Sequence, residues 1–174
     1  MKIVSFPIIC ACLCFAVPAS AQTIPRELWG KWVVRRDLPT TTISCWGESQ
    51  AKKVLGTELE YSADAFRWTD VLVHHPIAST KVVTAEQFEN DNSAADANGS
   101  QVNFRQIGIH AKQAEQITIQ HSPANITGTT TEIPGDEVWL KNHNTLIFSV
   151  CNLYFEATRV AAPKHKPAGH GRGL

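Results

Sequence analysis

Histidines are the first side chains of this sequence to consider for metal binding. His74 and His75 are adjacent, and they fall in a stretch with the alternation of a β-strand. Neighbouring side chains of a strand point to opposite faces, so these two imidazoles cannot easily share one metal ion. His110, His121 and His143 do not have the spacing of a zinc motif. We expect no metal site.

Glu58 and Glu60 are the most conspicuous pair of acids. They lie two positions apart on a predicted strand and so share a face. Such a pair can act as general acid and base only in a cleft that separates their pKa values. The neighbouring Leu59 and Tyr61 favour a solvent-facing position instead. The chain also lacks a Gly-x-Ser-x-Gly elbow and a glycine-rich phosphate loop. We expect no enzyme and no cofactor, and an enzyme with a site outside known motifs stays as an alternative.

Aromatic side chains are a stronger signal. The sequence contains 5 Trp, 7 Phe and 2 Tyr. Pockets for small molecules are lined mainly by apolar side chains with a few polar groups, but the same side chains can also fill a core. Both interpretations stay open. The candidate ligand-lining residues, all on predicted strands, are Phe66, Trp68, Phe104, Trp139 and Phe148.

The N-terminal residues predict export. Lys2 gives a positive start, residues 3–17 are almost wholly apolar, and Ala19-Ser20-Ala21 offers small residues where a signal peptidase cleaves. We expect a signal peptide over residues 1–21, with cleavage between Ala21 and Gln22. The mature protein would then be secreted or periplasmic.

Two alternatives for this segment are weaker. Its apolar run is shorter than the roughly 20 residues that a membrane-spanning helix needs, and no other stretch approaches that length, so we expect no membrane span. Lipidation at Cys12 or Cys14 would require a lipobox, which the preceding residues match poorly.

The cysteines indicate one disulfide. Removal of the signal peptide removes Cys10, Cys12 and Cys14 and leaves Cys45 and Cys151. An even pair in an oxidising compartment favours a disulfide bond. A reactive thiol or a metal ligand is the alternative.

Length and charge predict one domain without nucleic-acid binding. The 174 residues include 16 Lys+Arg and 16 Asp+Glu, and 43% are hydrophobic. A chain of this length forms a single domain, and a formal charge of zero gives no net field to hold a polyanion. We assign the domain to residues 22–162. Residues 163–174 are basic and rich in Pro and Gly, and we expect them to be disordered.

The spacing of apolar residues predicts a mainly β protein with one or two short helices. A helix is expected over 47–55, and Thr84 with Gln87 indicates a capped helical turn over 85–89. Residues 91–100 and 122–136 have loop composition. Strands are expected over 31–36, 57–61, 65–69, 71–74, 81–84, 101–105, 116–120, 137–141 and 145–159, the last bending or dividing at Asn152.

The two ends of this pattern resemble the lipocalin and calycin family. Leu28-Trp29-Gly30-Lys31-Trp32 contains a Gly-x-Trp at the start of the first strand, and Arg159 ends the last strand. The resemblance implies a single antiparallel β-barrel with Trp32 as the plug of its closed end. It also implies that the Arg159 guanidinium lies over the indole ring, a favourable cation–π contact. The middle of the chain does not match the family pattern.

Two functions follow from such a barrel. The first expectation is an exported binding protein for a small apolar or amphipathic ligand held inside the barrel. The alternative is a protein-interaction module, such as an inhibitor of a secreted hydrolase or a partner of an envelope complex. A cavity inside the barrel would favour the first, and a filled barrel would favour the second, with the loops 91–100 and 122–136 as first suspects.

Overall fold

The computed structural model describes residues 23–40, 44–92, 102–127 and 133–161. The predicted signal peptide and C-terminal tail lie outside the described residues, as does most of the expected loop after residue 91.

The described residues form two α-helices, a short 3-10 helix and ten strands. None of these helices is long and apolar enough to cross a membrane. The helices are α1 (Glu48–Val54), α2 (Ala85–Asp91) and the 3-10 helix Pro123–Asn125. The strands are β1 (Gly30–Leu38), β2 (Glu58–Tyr61), β3 (Ala65–Trp68), β4 (Val71–His74), β5 (Ile77–Thr84), β6 (Gln113–Gln120), β7 (Ile126–Thr127), β8 (Glu137–Asn142), β9 (Thr145–Val150) and β10 (Leu153–Arg159).

All ten strands belong to one antiparallel sheet that curls into a half-barrel. Their spatial order is β5-β6-β8-β9-β10-β1-β2-β3-β4-β7. The centre of the sheet is the pair β10 and β1, which joins the two ends of the described chain through the register Trp32↔Arg159. The prediction of a mainly β protein with one or two short helices is confirmed, and two α-helices are present.

The passage from β4 to β5 shows how strongly the sheet curls. β5 is one edge of the sheet, and β4 lies beside the other edge, yet only His75 and Pro76 separate them in sequence. A chain of three peptide units spans at most about 11 Å. The two edges therefore approach each other at this point.

Several elements agree with the sequence predictions, and one does not. The hairpin of β2 and β3, the strand β4 and the helix α1 fall where they were expected. The long stretch 145–159 divides at a two-residue turn, in which Cys151 and Asn152 both have positive φ. The strand predicted over 101–105 is wrong: within its described part, residues 104 and 105 begin a turn that continues to Gly108.

The inner face of the curl holds the larger of two hydrophobic clusters, here named the inner cluster. Alternate residues of the strands point into it, and each member is at most 6% exposed. Its members are Ile24, Leu28, Trp32, Val34, Val54, Leu59, Tyr61, Phe66, Val71, Val73, Ala78, Ile117, Ile119, Ile133, Val138, Leu146, Phe148, Val150, Phe155 and Ala157.

The outer face of the same sheet carries a second cluster, here named the outer cluster. The intervening residues of β8, β9 and β10 face outward and are covered by α2 and by the segment 102–109. A register shift in β1 between Val34 and Arg36 turns Leu38 to this side as well. The outer cluster consists of Leu38, Val83, Phe88, Val102, Phe104, Ile107, Ile109, Trp139, Ile147 and Tyr154.

Candidate functional site

Trp32 and Arg159 meet at the junction of the first and last strands. The Arg159 guanidinium lies 4.0 Å from the centroid of the Trp32 ring, and the Trp32 indole N–H donates to the Leu28 carbonyl at 2.7 Å. Arg159 also donates to the carbonyl oxygens of Trp29 and Glu27. Burial lowers the pKa of Arg159, but an arginine remains charged at neutral pH. This cation is therefore held in place by two carbonyl oxygens of the segment before β1 and by an aromatic face.

Gly30 is required for this arrangement. Its φ is +112°, a conformation that other residues rarely adopt, and a Cβ on it would lie 3.3 Å from Arg159 Nη1. The Gly of the Gly-x-Trp pattern thus leaves room for the cation that packs on the Trp.

Cys45 and Cys151 form a disulfide with a Cα–Cα distance of 5.2 Å. The bridge joins the segment before α1 to the turn between β9 and β10. Beside it, the Ser44 hydroxyl donates to the Cys151 carbonyl at 2.8 Å. The predicted pairing is thereby present, across 106 positions of sequence.

The five candidate ligand-lining residues are divided between the two faces of the sheet. Phe66 and Phe148 belong to the inner cluster, and Trp68 packs against it. Phe104 and Trp139 belong to the outer cluster. The structure therefore does not bring the five side chains to one surface.

The inner face is filled by close aromatic packing. Phe148 stacks on Phe155 with ring centroids 5.3 Å apart, and Tyr61 stacks on Phe66 at 4.7 Å. The Tyr61 hydroxyl donates to the Gly135 carbonyl at 2.8 Å. A Cβ on Gly135 would lie 2.6 Å from that hydroxyl, so a glycine is needed where this loop closes over the cluster.

Three of the pockets that described residues line lie outside the curl. A small one of about 190 Å³ lies on the outward side of β2, β3 and β4, next to Glu60 and Arg67. The other two flank the segment 102–112 and share three residues of it, Ile109, His110 and Ala111.

The first of these two, here named the cationic cleft, has a volume of about 390 Å³. One wall is α2, with Ala85 and Glu89, and the opposite wall is the segment itself. The cleft is lined by Ala85, Glu89, Asn103, Phe104, Arg105, Ile109, His110, Ala111 and Lys112.

The second, here named the splayed cleft, has a volume of about 480 Å³. β6 and β8 pair only from Gln116↔Trp139 to Thr118↔Glu137, and beyond that point the strands separate. The residues that line the cleft include Glu115 of β6 and Leu140 and Lys141 of β8. Lys141 is paired with Glu156 at 3.1 Å.

Two buried polar atoms near this point have no partner among the described residues. They are Gln116 Oε1 and Trp139 Nε1, which belong to the last pair before β6 and β8 separate. The Gln116 amide bonds to Glu137, whose pKa is raised because burial disfavours the charged carboxylate. Buried polar atoms without a partner are unusual, and both of these lie on the outer face of the sheet.

The other candidates from the sequence do not form a catalytic or metal site. Glu58 pairs with Lys31 on the outward face at 2.6 Å, and His121 lies 3.2 Å from Asp136. Among the described residues, no group of three or more His, Cys, Asp or Glu side chains is placed to hold a metal ion.

Sequence reasoning did not single out the segment 102–112, because it interpreted residues 101–105 as a strand and assigned no element to the residues that follow. A local signal was available. Asn103 and Gln106 exchange side-chain to backbone hydrogen bonds at 2.8 and 3.0 Å, a pairing at i and i+3 that is typical of a capped turn.

No family model, no curated protein and no solved structure matches this chain. Its function is therefore inferred from the geometry of its own residues.

Proposed function

We propose that this protein is an exported protein-interaction module built on a solid lipocalin-like barrel, which binds its partner through its outer surface. The filled inner face carries this proposal. Trp32, Phe66 and Phe148 are each 0% exposed within one packed cluster. A side chain that fills the interior leaves no room there for a ligand, because protein cores are packed as densely as crystals.

Two features support the lipocalin-like barrel. The short passage through His75 and Pro76 draws the edges of the half-barrel together. The Gly30, Trp32 and Arg159 arrangement matches the family's plug at the expected positions.

Export rests on the N-terminal sequence and on the disulfide. Disulfides persist in oxidising compartments and are rare in the cytosol, so the Cys45–Cys151 bridge is compatible with a secreted or periplasmic protein. A small exported barrel with a solid core is suited to an inhibitor of a secreted hydrolase or to a partner in an envelope complex.

A small-molecule binding protein is the second candidate, and the observation in its favour is the size of the outer clefts. Volumes of about 390 and 480 Å³ fall within the range of ligand pockets. Both clefts are open to solvent and lie outside the barrel. The ligand would therefore occupy the surface rather than the interior.

Native mass spectrometry of the protein purified from its own host tests the proposal. We expect a complex with a second protein, and inhibition assays against secreted proteases and glycosidases then distinguish an inhibitor from a structural partner. A retained small molecule without a protein partner would contradict the proposal and favour the second candidate.

Tryptophan fluorescence tests the solid interior separately. We expect no change on titration with fatty acids or small aromatic compounds. The Phe148→Ala variant is the matched control, because a large-to-small change inside a packed core leaves a cavity that apolar compounds enter. Phe148→Val serves the same purpose if the first variant does not fold. Quenching in the unchanged protein equal to that in the variant would show that the interior is already open.

A further inference from the structure

The cationic cleft is lined by two cations, Arg105 and Lys112, and by the imidazole ring of His110. Within the described residues, the side chains of Arg105, His110 and Lys112 make no hydrogen bond or ion pair, and all three are exposed. Several basic groups elsewhere are paired, in contrast: Lys31 with Glu58, and both Arg36 and Lys141 with Glu156. Unpaired cations that converge on one concave surface are a feature of anion-binding sites.

The segment that carries these cations is fixed to the sheet. Phe104, Ile107 and Ile109 anchor it in the outer cluster, each at most 5% exposed. The Ile109 amide donates to the Phe104 carbonyl at 2.7 Å, and the Ala85 amide donates to the Lys112 carbonyl at 2.9 Å, which ties the segment to the start of α2. The backbone is therefore already ordered before anything binds, and little ordering entropy is lost there on binding.

The charge of the surroundings makes the cleft stand out. Residues 22–162 contain more acidic than basic side chains, so two unpaired cations in one cleft contrast with the charge of the domain as a whole. One carboxylate, that of Glu89, also lines the cleft, and it is not free.

The shape of the surface favours a chain segment over a compact ion. The cationic cleft continues into the splayed cleft around Ile109, His110 and Ala111. Together the clefts offer more room than a compact ion needs, and the apolar side chains of Ala85 and Ala111 line the cationic cleft beside the basic ones. An arginine fork binds a carboxylate through two parallel hydrogen bonds, and a lysine or a protonated histidine adds single ones.

We propose that the cationic cleft binds the carboxylate side chains of an acidic segment of a partner protein, with Arg105, His110 and Lys112 as the contacts. This inference rests on the proposed function as a protein-interaction module and names the chemistry of the partner.

Fluorescence polarisation with a fluorescein-labelled hexaglutamate peptide tests the cleft, with a hexaglutamine peptide as the neutral comparison. The test variant is Arg105→Gln/His110→Gln/Lys112→Gln. The matched control is Arg67→Gln/His74→Gln/Lys53→Gln, which removes the same three residue types from exposed positions elsewhere. All six side chains are exposed, so both variants are expected to fold.

We expect hexaglutamate to bind the unchanged protein, and binding to weaken as salt is added. The cleft variant should lose about tenfold in affinity, since two exposed charge pairs and one hydrogen bond of the imidazole together contribute on the order of 1.4 kcal/mol. The control variant should change by no more than about twofold, because its charges lie outside the cleft. Equal losses in the two variants, or binding of hexaglutamine as tight as that of hexaglutamate, would overturn the proposal.

Competition separates a segment site from a site for small anions. Acetate and inorganic phosphate at the same ionic strength as a chloride reference should displace the peptide no better than chloride does. Specific displacement by either ion would identify a small-anion site and overturn the assignment to a protein segment.

The two proposals fail in different ways. If the cleft variant retains the protein partner seen by native mass spectrometry, the cleft assignment is wrong and the interaction module stands. If no protein partner is found and hexaglutamate still requires the cleft, the cleft is an acidic-ligand site and the interaction module is wrong.

Discussion

The inner and outer faces of the sheet are both covered by apolar side chains, but they are completed in different ways. The inner cluster is formed mainly by strands of the sheet packing against one another across the curl. The outer cluster requires α2 and the segment 102–109 as additional layers. Two buried indoles mark the contrast: the Trp32 N–H donates to a carbonyl, whereas the Trp139 N–H has no partner among the described residues.

This contrast indicates a division of roles. The inner face, with its satisfied polar groups, stabilises the fold. The outer face contains the unpartnered Gln116 oxygen, the half-buried Glu137 and two unpaired cations, Arg105 and Lys112, next to α2. Polar groups that lack partners inside a protein cost free energy. Among the described residues, the two buried polar atoms without a partner, Gln116 Oε1 and Trp139 Nε1, both lie on the outer face.

Truncation of Trp32 is expected to give the largest effect. Trp32→Ala should lower the free energy of unfolding by about 3–5 kcal/mol, as is usual for large aromatic side chains in a core. Urea unfolding followed by circular dichroism measures it. Trp139→Phe is the comparison on the outer face and should lower the free energy of unfolding clearly less. It keeps an aromatic ring and removes an N–H that has no partner among the described residues. Equal costs for the two variants would contradict the contrast between the faces.

Loss of the disulfide is expected to rank second. Cys45→Ser/Cys151→Ser should destabilise the protein by about 2–4 kcal/mol, since the bridge closes a long loop and restricts the unfolded chain. The bridge lies next to Trp46, which packs against the inner cluster. Chemical unfolding of the variant and of the reduced protein should give similar midpoints. Quantitative labelling of two thiols in the native, unreduced protein would show that the bridge does not form.

The contact of Arg159 with Trp32 is expected to contribute less. Arg159→Ala should cost about 0.5–2 kcal/mol, the range of a partly desolvated cation–π contact and its hydrogen bonds. In a double-mutant cycle, the loss should shrink when Trp32 is already Ala. Additive losses would mean that the two side chains do not stabilise each other.

Two carboxyl groups of the outer face should show small effects of opposite sign. The bond from Arg36 and the neighbouring Lys141 lower the pKa of Glu156, so ionised Glu156 stabilises the folded state at pH 7. Burial raises the pKa of Glu137, so its ionised form destabilises the folded state. At pH 7 we expect Glu156→Gln to lower the free energy of unfolding, and Glu137→Gln to raise it, each by about 1 kcal/mol or less.

The two carboxyl groups also differ in the pH at which the effect of their substitution vanishes. The effect of Glu156→Gln should disappear as the pH falls from about 4.3, the unfolded value, through the lower folded pKa. The penalty for ionised Glu137 is full above its raised pKa and is relieved as the pH falls below that value. The effect of Glu137→Gln should therefore vanish at a higher pH than the effect of Glu156→Gln. Urea unfolding between pH 3 and 7 measures both, and effects of the same sign would contradict the assignment.

Local signals in the sequence predicted most elements. The small loop Ser62-Ala63-Asp64 predicted the hairpin of β2 and β3, and the pair Thr84 and Gln87 predicted the start of α2, where both capping hydrogen bonds are present. β5 was predicted only over 81–84, because its first half, Ile77-Ala78-Ser79-Thr80, lacks strand-like alternation. Its eight residues are instead stabilised by full pairing with β6.

The faces of the strands could not be predicted where both faces are covered. In β8 and β9 the apolar residues are consecutive, as in Leu146-Ile147-Phe148, because each residue enters one cluster or the other. Alternation then shows that neighbours point in opposite directions but not which direction is inward. This explains why Trp139 was grouped with Phe148 as pocket lining although the two lie on opposite faces. The cationic cleft was missed for a related reason, since it depends on α2 and a distant turn coming together.

The order of the strands has a consequence for circular permutation of the chain. The spatial order runs from β5 through β10 to β1 and on to β4. It departs from sequence order at one place, because β7 lies beside β4 and β6 is paired directly with β8. The two ends of the described domain meet where the Val160 amide donates to the Lys31 carbonyl at 2.8 Å. A permutant joined across these ends and opened between His75 and Pro76 would read almost as a plain meander. Its central pair, β10 with β1, would become a local hairpin. The sequence separation of these contacts would fall, and we expect faster folding.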